Sequence, residues 1–124
     1  MGYSITASGE SSLPRYLEIA RAAARQSTQK KQVGAVVVRG GRVLGLGYNR
    51  EGSCKQTPGA WSRHAEVVAV LDAGDARGCT VYVYRGKLSP RLAKPCASCR
   101  VVLKAAGVKR VVYSTVGGYA RERV

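Results

Sequence analysis

The fold class follows from residues 79–113, which read CTVYVYRGKLSPRLAKPCASCRVVLKAAGVKRVVY. The two ends of this segment, 79–84 and 108–113, are short apolar runs rich in valine and tyrosine, and they predict strands. Between them, Pro95 opens a helical pattern over 96–106. Two strands that are joined by a crossover helix lie parallel in one sheet.

The chain before this unit predicts one helix and one hairpin. Apolar residues recur at helical spacing over residues 13–25. Residues 33–38 and 42–48 are apolar and flank Gly40 and Gly41, two glycines that suit the positive φ of a tight turn. These two segments therefore predict antiparallel strands.

A second short helix is predicted from His64 to Gly74, after a long loop over 49–63. The order helix, hairpin, helix, strand, helix, strand predicts an α/β fold with helices packed on a mixed sheet of four to five strands. Residues 114–124 are expected to form only a short tail, and residues 1–10 are expected to be disordered. One domain therefore accounts for residues 1–124.

The composition constrains the partners more than the fold. The chain has 124 residues, and 21 Lys plus Arg against 7 Asp plus Glu give a net charge of +14. With 45% hydrophobic residues it can bury a core, which excludes a disordered polycation. The charge favours anionic partners such as nucleic acid or nucleotides. No run approaches the roughly 18 apolar residues of a membrane span, so we expect a cytoplasmic protein without a membrane partner.

Four cysteines in a chain expected to be intracellular indicate metal binding or burial before disulfides. Cys96 and Cys99 are three residues apart at a predicted helix start, where unpaired amide groups stabilise thiolates. By itself, this pair also fits a redox protein that holds no zinc. Cys79 opens an apolar strand and is expected in the core.

The only histidine, His64, begins the second predicted helix, and Glu66 follows it directly before an apolar run. A carboxylate at such a buried helix start costs free energy unless it is bonded or used. With Cys96 and Cys99, His64 makes three ligands, the number that leaves a catalytic zinc one position for water. The sequence therefore predicts one Zn²⁺ per chain with a bound water or hydroxide, and Glu66 as the group that moves its proton.

The motifs His64-Ala65-Glu66 and Pro95-Cys96-Ala97-Ser98-Cys99 together resemble the H-x-E and P-C-x-x-C signature of the zinc-dependent cytidine and deoxycytidylate deaminase superfamily. Residues 33–38, 47–49 and 105–113 are also similar to that family. The resemblance implies a cytidine-deaminase-like three-layer α-β-α sandwich. Because family members commonly continue with a further helix and strand, it also implies that this sheet is one strand short.

The resemblance also implies roles for individual residues. It makes His64, Cys96 and Cys99 the zinc ligands, and Glu66 the catalytic acid and base. It assigns Asn49 and Ala65 to substrate binding. Trp61, just before the histidine, offers either an aromatic face for stacking on a base or a hydrophobic cover for the core.

We therefore expect a hydrolytic deaminase that converts a cytosine-type base to uracil with release of ammonia, acts on a (deoxy)cytidine nucleotide and forms a homo-oligomer. One alternative substrate is cytosine in single-stranded nucleic acid. Another is tRNA adenosine, although Lys94 stands where adenosine deaminases of tRNA typically have glutamate. A non-catalytic, zinc-braced nucleic-acid-binding module is a further alternative, and Cys54 as a fourth ligand would close the site and make it purely structural.

Overall fold

A computed structural model of the chain describes residues 13–51, 62–87 and 89–124. The described helices are α1 (Arg15–Ala24), α2 (Ala65–Ala73) and α3 (Ala97–Ala105). The described strands are β1 (Val33–Arg39), β2 (Arg42–Tyr48), β3 (Arg50–Glu51), β4 (Ser62–Arg63), β5 (Thr80–Arg85), β6 (Arg110–Thr115) and β7 (Gly118–Arg123). Within these ranges no helix is long and apolar enough to cross a membrane.

Five of the described strands form one mixed sheet in the order β2-β1-β5-β6-β7. β5 and β6 are parallel, and α3 makes the crossover between them, as predicted. β1 pairs antiparallel with both β2 and β5. Gly40 and Gly41 adopt φ values of 60° and 76° at the β1–β2 turn, which a side chain would disfavour. β3 and β4 pair separately beside the sheet.

The helices cover both faces of the sheet, which confirms the three-layer prediction. On one face α1 buries Leu17, Ala20 and Ala24 against Val36 and Tyr84. On the other face α2 and α3 enclose a second cluster, whose members include Val37, Ala69, Cys79, Val83 and Leu103. Cys79 is fully buried in it, as expected for a core thiol.

The end of the chain corrects the sequence prediction. Residues 114–124 are not a tail: Ser114 and Thr115 complete β6, and Gly118–Arg123 form β7, antiparallel to β6. The expectation of a sheet one strand short is therefore wrong. Without β7, the outer edge of β6 would present unpaired N–H and C=O groups, and a tight turn is enough to satisfy them with the residues that follow. The predicted disorder of 1–10 lies outside the described residues.

Candidate metal centre and active site

The position of α2 is set by two glycines of β2. A Cβ on Gly45 would lie 2.3 Å from the Ala69 carbonyl oxygen, and one on Gly47 would lie 2.7 Å from that of Ala65. Such distances are far inside normal contact, so α2 rests with its backbone directly on β2. This close approach fixes the start of α2, where His64 occupies the N-cap position.

The position of α3 is set by the segment between β5 and the helix. The N–H of Ala93 donates to the carbonyl of Ser114 on β6 over 2.9 Å. Cys96 then occupies the N-cap position of α3, and Cys99 lies in its first turn. Because α2 and α3 pack on the same face of the sheet, their N-termini meet.

His64, Cys96 and Cys99 come together where the two helices begin. One ligand atom from each lies within 4.8 Å of the others. Nδ1 of His64 is 2.9 Å from Sγ of Cys99 and 3.6 Å from Sγ of Cys96. Cys99 is buried, whereas Cys96 is exposed, so the cluster has an inner and an outer side.

The donor set fits zinc in its chemistry. Two thiols and one imidazole are ligands that zinc prefers, and three protein ligands are typical of catalytic sites. Burial raises the pKa of the Cys99 thiol, and the nearby Glu66 carboxylate raises it further. A bound divalent cation acts in the opposite direction, because a coordinating thiol is deprotonated. The amide groups of both helix N-termini also favour thiolates here.

Glu66 lies in the first turn of α2 and is only 6% exposed. Burial raises its pKa, because loss of water disfavours the charged form, while the backbone N–H, His64 and Cys99 partly oppose this effect. Its carboxylate therefore lies next to the ligand cluster with Cys99 and His64 as its neighbours. A protonatable group in that place can exchange protons with a molecule bound at the cluster.

Asn49 is buried at the end of β2 and is held by several hydrogen bonds. Its Oδ1 accepts from the N–H of Val33 at 3.0 Å, and its Nδ2 donates to the carbonyl of Lys31 at 2.6 Å and to Gln29 at 3.2 Å. Its own carbonyl accepts from the hydroxyl of Ser27. The structure therefore gives Asn49 an anchoring role for the segment before β1, which the sequence did not suggest.

The structure describes Ala65, the second of the predicted substrate residues. Ala65 is fully buried as the first residue of α2. Its N–H belongs to the first helical turn, whose amides lack partners within the helix, so its contact with a ligand would be made by the main chain. Trp61 lies outside the described residues, and so does Cys54, the alternative fourth ligand.

Sequence reasoning missed Glu122 of β7. Its carboxylate accepts from the hydroxyl of Tyr113 at 2.6 Å and pairs with Lys94 at 3.3 Å and with Arg100. Lys94 precedes the Pro-Cys motif and Arg100 follows Cys99 directly, so Glu122 holds both flanks of the cysteine pair. The sequence did hold one signal, because Glu122 is one of only 7 acidic residues in a strongly basic chain. It lies in residues 114–124, the segment wrongly predicted to be a tail.

The chain matches the family model described as the cytidine and deoxycytidylate deaminase zinc-binding region over residues 10–115. It is 35% identical over 123 residues to the deoxycytidylate deaminase of Mycobacterium phage D29, a match that covers 79% of this chain and 90% of that protein. It is also 35% identical over 121 residues to the deoxycytidylate deaminase of Schizosaccharomyces pombe, covering 81% of this chain. The chain spans only 36% of the length of that yeast protein.

A solved structure has the same arrangement of elements. The dCMP deaminase from the cyanophage S-TIM5, in apo form, matches with a TM-score of 0.63 and 26% sequence identity. The match covers 79% of this chain and 78% of the cyanophage chain.

Proposed function

Because this chain belongs to the cytidine and deoxycytidylate deaminase zinc-binding family, we propose that it is a hydrolytic deaminase that converts the cytosine base of a deoxycytidine or cytidine nucleotide to uracil with release of ammonia. The observation that carries the proposal is the meeting of His64, Cys96 and Cys99 at two helix N-termini with the buried carboxylate of Glu66 beside them. Deoxycytidylate is the favoured substrate, because the phage and yeast relatives are named for it.

The chain's own residues have separate tasks in this reaction. His64, Cys96 and Cys99 would hold the zinc ion, which when bound supplies an activated water as nucleophile. Glu66 takes a proton from the attacking water and delivers protons to the ring nitrogen and to the departing amine, so that water adds and ammonia leaves. Its burial keeps bulk water away from these transfers.

The substrate contacts of Asn49, Ala65 and Trp61 stay predictions. For Asn49, the support is its position directly after β2, whose last residues lie against the start of α2. A direct contact with the sugar or base would use the second lone pair of Oδ1, because both Nδ2 protons already have acceptors. Assembly into a homo-oligomer is likewise proposed, and light scattering on the purified chain measures it directly.

The test is ammonia release from dCMP by zinc-loaded protein, with Glu66→Gln as the variant. Glutamine keeps the size of the side chain but cannot carry the proton. We expect Glu66→Gln to lower kcat by about 10² to 10⁴-fold and to retain zinc. Glu18→Gln is the matched control, because Glu18 is a partly exposed partner of Arg21 on α1, outside the site.

A zinc-loaded wild type that leaves dCMP, cytidine, deoxycytidine and adenosine unchanged would overturn the proposed function. Turnover that survives Glu66→Gln would instead remove Glu66 from the reaction. Turnover of adenosine in tRNA but not of dCMP would move the substrate to the second alternative.

A further inference from the structure

A strongly basic cavity of about 500 Å³ lies at the end of the sheet where strand β5 finishes and strand β1 starts. The register places Val33, the first residue of β1, opposite Arg85, the last residue of β5. Five basic side chains line the cavity: Lys30, Lys31, Arg85, Lys87 and Arg91. A volume of this size is in the range of ligand-binding pockets.

The positive charge of this cavity is not balanced by the described residues. Lys30, Lys31, Lys87 and Arg91 have no ion pair with any of the carboxylates whose side chains the structure describes. The carboxylates with described side chains lie elsewhere: Glu18 beside Arg21, Asp72 at the Leu46 N–H, Asp75 beside Arg39 and Arg77, Glu66 at the metal centre and Glu122 beside Lys94 and Arg100. Clustered cations without carboxylates repel one another, and a bound anion removes that repulsion.

Backbone hydrogen bonds hold the walls of the cavity together. The N–H of Gly86 donates to the carbonyl of Gln32 over 3.1 Å, which joins the two walls. The N–H of Arg91 donates to the carbonyl of Arg85, and the carbonyl of Arg91 accepts from the hydroxyl of Ser114. The cations are therefore carried by a fixed frame, which lowers the entropic cost of binding a ligand.

Both walls lead to the candidate active site. On one side, the carbonyl of Lys31 is bonded to Asn49 at the end of β2. On the other side, Cys96 follows Arg91 in the chain after four intervening residues. Tyr48, also at this end of the sheet, is partly exposed, and the guanidinium of Arg50 stacks over its ring at 5.3 Å. An aromatic ring beside cations is a feature of single-strand binding surfaces.

We propose that this cavity binds consecutive phosphates of a single-stranded nucleic acid beside the deaminase site. One phosphate of a mononucleotide carries at most two negative charges, too few to balance five cations. A flexible strand can place several phosphates in a concave cavity, whereas a duplex holds its phosphates on a wide convex surface. The net charge of +14 attracts the rest of the strand. This inference rests on the proposed function in one respect, namely that the site beside the cavity is a deaminase site.

The experiment measures fluorescence anisotropy of a labelled oligothymidylate with the full zinc-loaded chain over a salt series. We expect the double variant Lys31→Ala/Arg91→Ala to weaken binding about tenfold or more and to lower the slope of log K against log salt by about 1.4, because each phosphate contact with a single strand contributes about 0.7. The matched control is Lys104→Ala/Lys109→Ala, which removes the same charge near the other end of strand β5, far from the cavity. We expect this control to leave binding within about threefold of wild type. Thermal unfolding checks that each variant is folded.

Three results overturn the proposal: no binding of the strand, equal loss in the cavity and control variants, or tighter binding of inorganic tripolyphosphate than of the strand. The last result would make the cavity a site for free polyphosphates. Because oligothymidylate contains no cytosine, its binding does not depend on deamination. If the zinc-loaded wild type deaminates dCMP but does not bind the strand, this inference alone is overturned. If it binds the strand but deaminates no substrate, the proposed function alone is overturned.

Discussion

Glu66 is the only buried carboxylate among the acids whose side chains the structure describes. A chain with 7 acids and 21 basic residues has many surface cations that an exposed acid could neutralise. Burying an acid next to His64 and Cys99 costs free energy, because the charged form loses its water. The proposed proton-carrying task would account for that cost, and a surface role would not.

Two cysteines provide a comparison at the residue scale. Cys79 and Cys99 are both fully buried, yet only Cys99 lies beside His64. We expect Cys99→Ala to lose zinc and dCMP deamination. Cys79→Ala should keep one zinc per chain and lose only about 1 kcal/mol of unfolding free energy, since it removes one packed sulfur atom. Zinc content by atomic absorption separates the two variants, and equal zinc contents contradict the ligand assignment.

At the scale of elements, the contact between β2 and α2 positions the site. Gly45 has no room for a Cβ, because the backbone of Ala69 and Ala73 occupies that space. Any side chain here moves α2 outward and carries His64 and Glu66 with it. The Gly-x-Gly spacing in β2 is therefore a requirement of helix packing.

We expect Gly45→Ala to lower the free energy of unfolding by about 1–3 kcal/mol, because the added methyl group overpacks the contact between β2 and α2. Urea denaturation measures this change. Gly118→Ala is the control: a Cβ there meets only Thr115 Oγ1 at 3.7 Å, an ordinary contact. Similar losses in both variants would show that the effect comes from glycine replacement in a strand and not from α2.

The strand β7 contacts both flanks of the cysteine pair through Glu122. Its contacts with Lys94 and Arg100 lie on either side of the Pro-Cys-x-x-Cys motif. We expect Glu122→Gln to lower zinc affinity about 10 to 100-fold while the protein stays folded, because partners outside the ligand set orient the ligands. Competition with a zinc chelator measures the affinity. An unchanged zinc affinity would mean that Glu122 forms only a surface ion pair and does not help to orient the ligands.

The same residue gives a prediction for pH. The hydrogen bond from Tyr113 lowers the pKa of Glu122, as do Lys94 and Arg100, while partial desolvation opposes them. A lowered pKa means that the stabilisation is present above the unfolded value of about 4.3 and is lost as pH falls through the folded value. The Tm difference between wild type and Glu122→Gln should therefore be largest near neutral pH and shrink below about pH 4. A difference that is constant over a pH series of thermal unfolding contradicts this.

At the scale of the whole molecule, zinc would join two segments that are separated by 32 residues, at His64 and Cys96. Neither of the two core clusters contains a ligand. We therefore expect removal of zinc by a chelator to lower Tm by about 5 °C or more and to leave the secondary structure intact. Circular dichroism follows both quantities, and an unchanged Tm after verified zinc loss would mean that the metal does not brace the fold.

Much of this protein was predictable from its sequence alone. The three helices, the β1–β2 hairpin and the parallel crossover follow from local hydrophobic periodicity and turn residues. The meeting of His64, Cys96 and Cys99 was also predictable, because these residue types stand at helix starts with metal-ligand spacing. The periodicity and turn signals depend on near neighbours in the chain, whereas the pairing of His64 with cysteines 32 and 35 residues away came from the two-part H-x-E and P-C-x-x-C signature.

Only the tertiary structure decided the rest. Residues 118–123 became β7 because the edge of β6 offered hydrogen bonds, and this brought Glu122 to Lys94 and Arg100. The anchoring of the segment before β1 by Asn49, and the collection of basic side chains from two distant segments into one cavity, arose in the same way. These features depend on contacts between residues far apart in the chain, and no local pattern of residue types records which distant partner the fold will bring near.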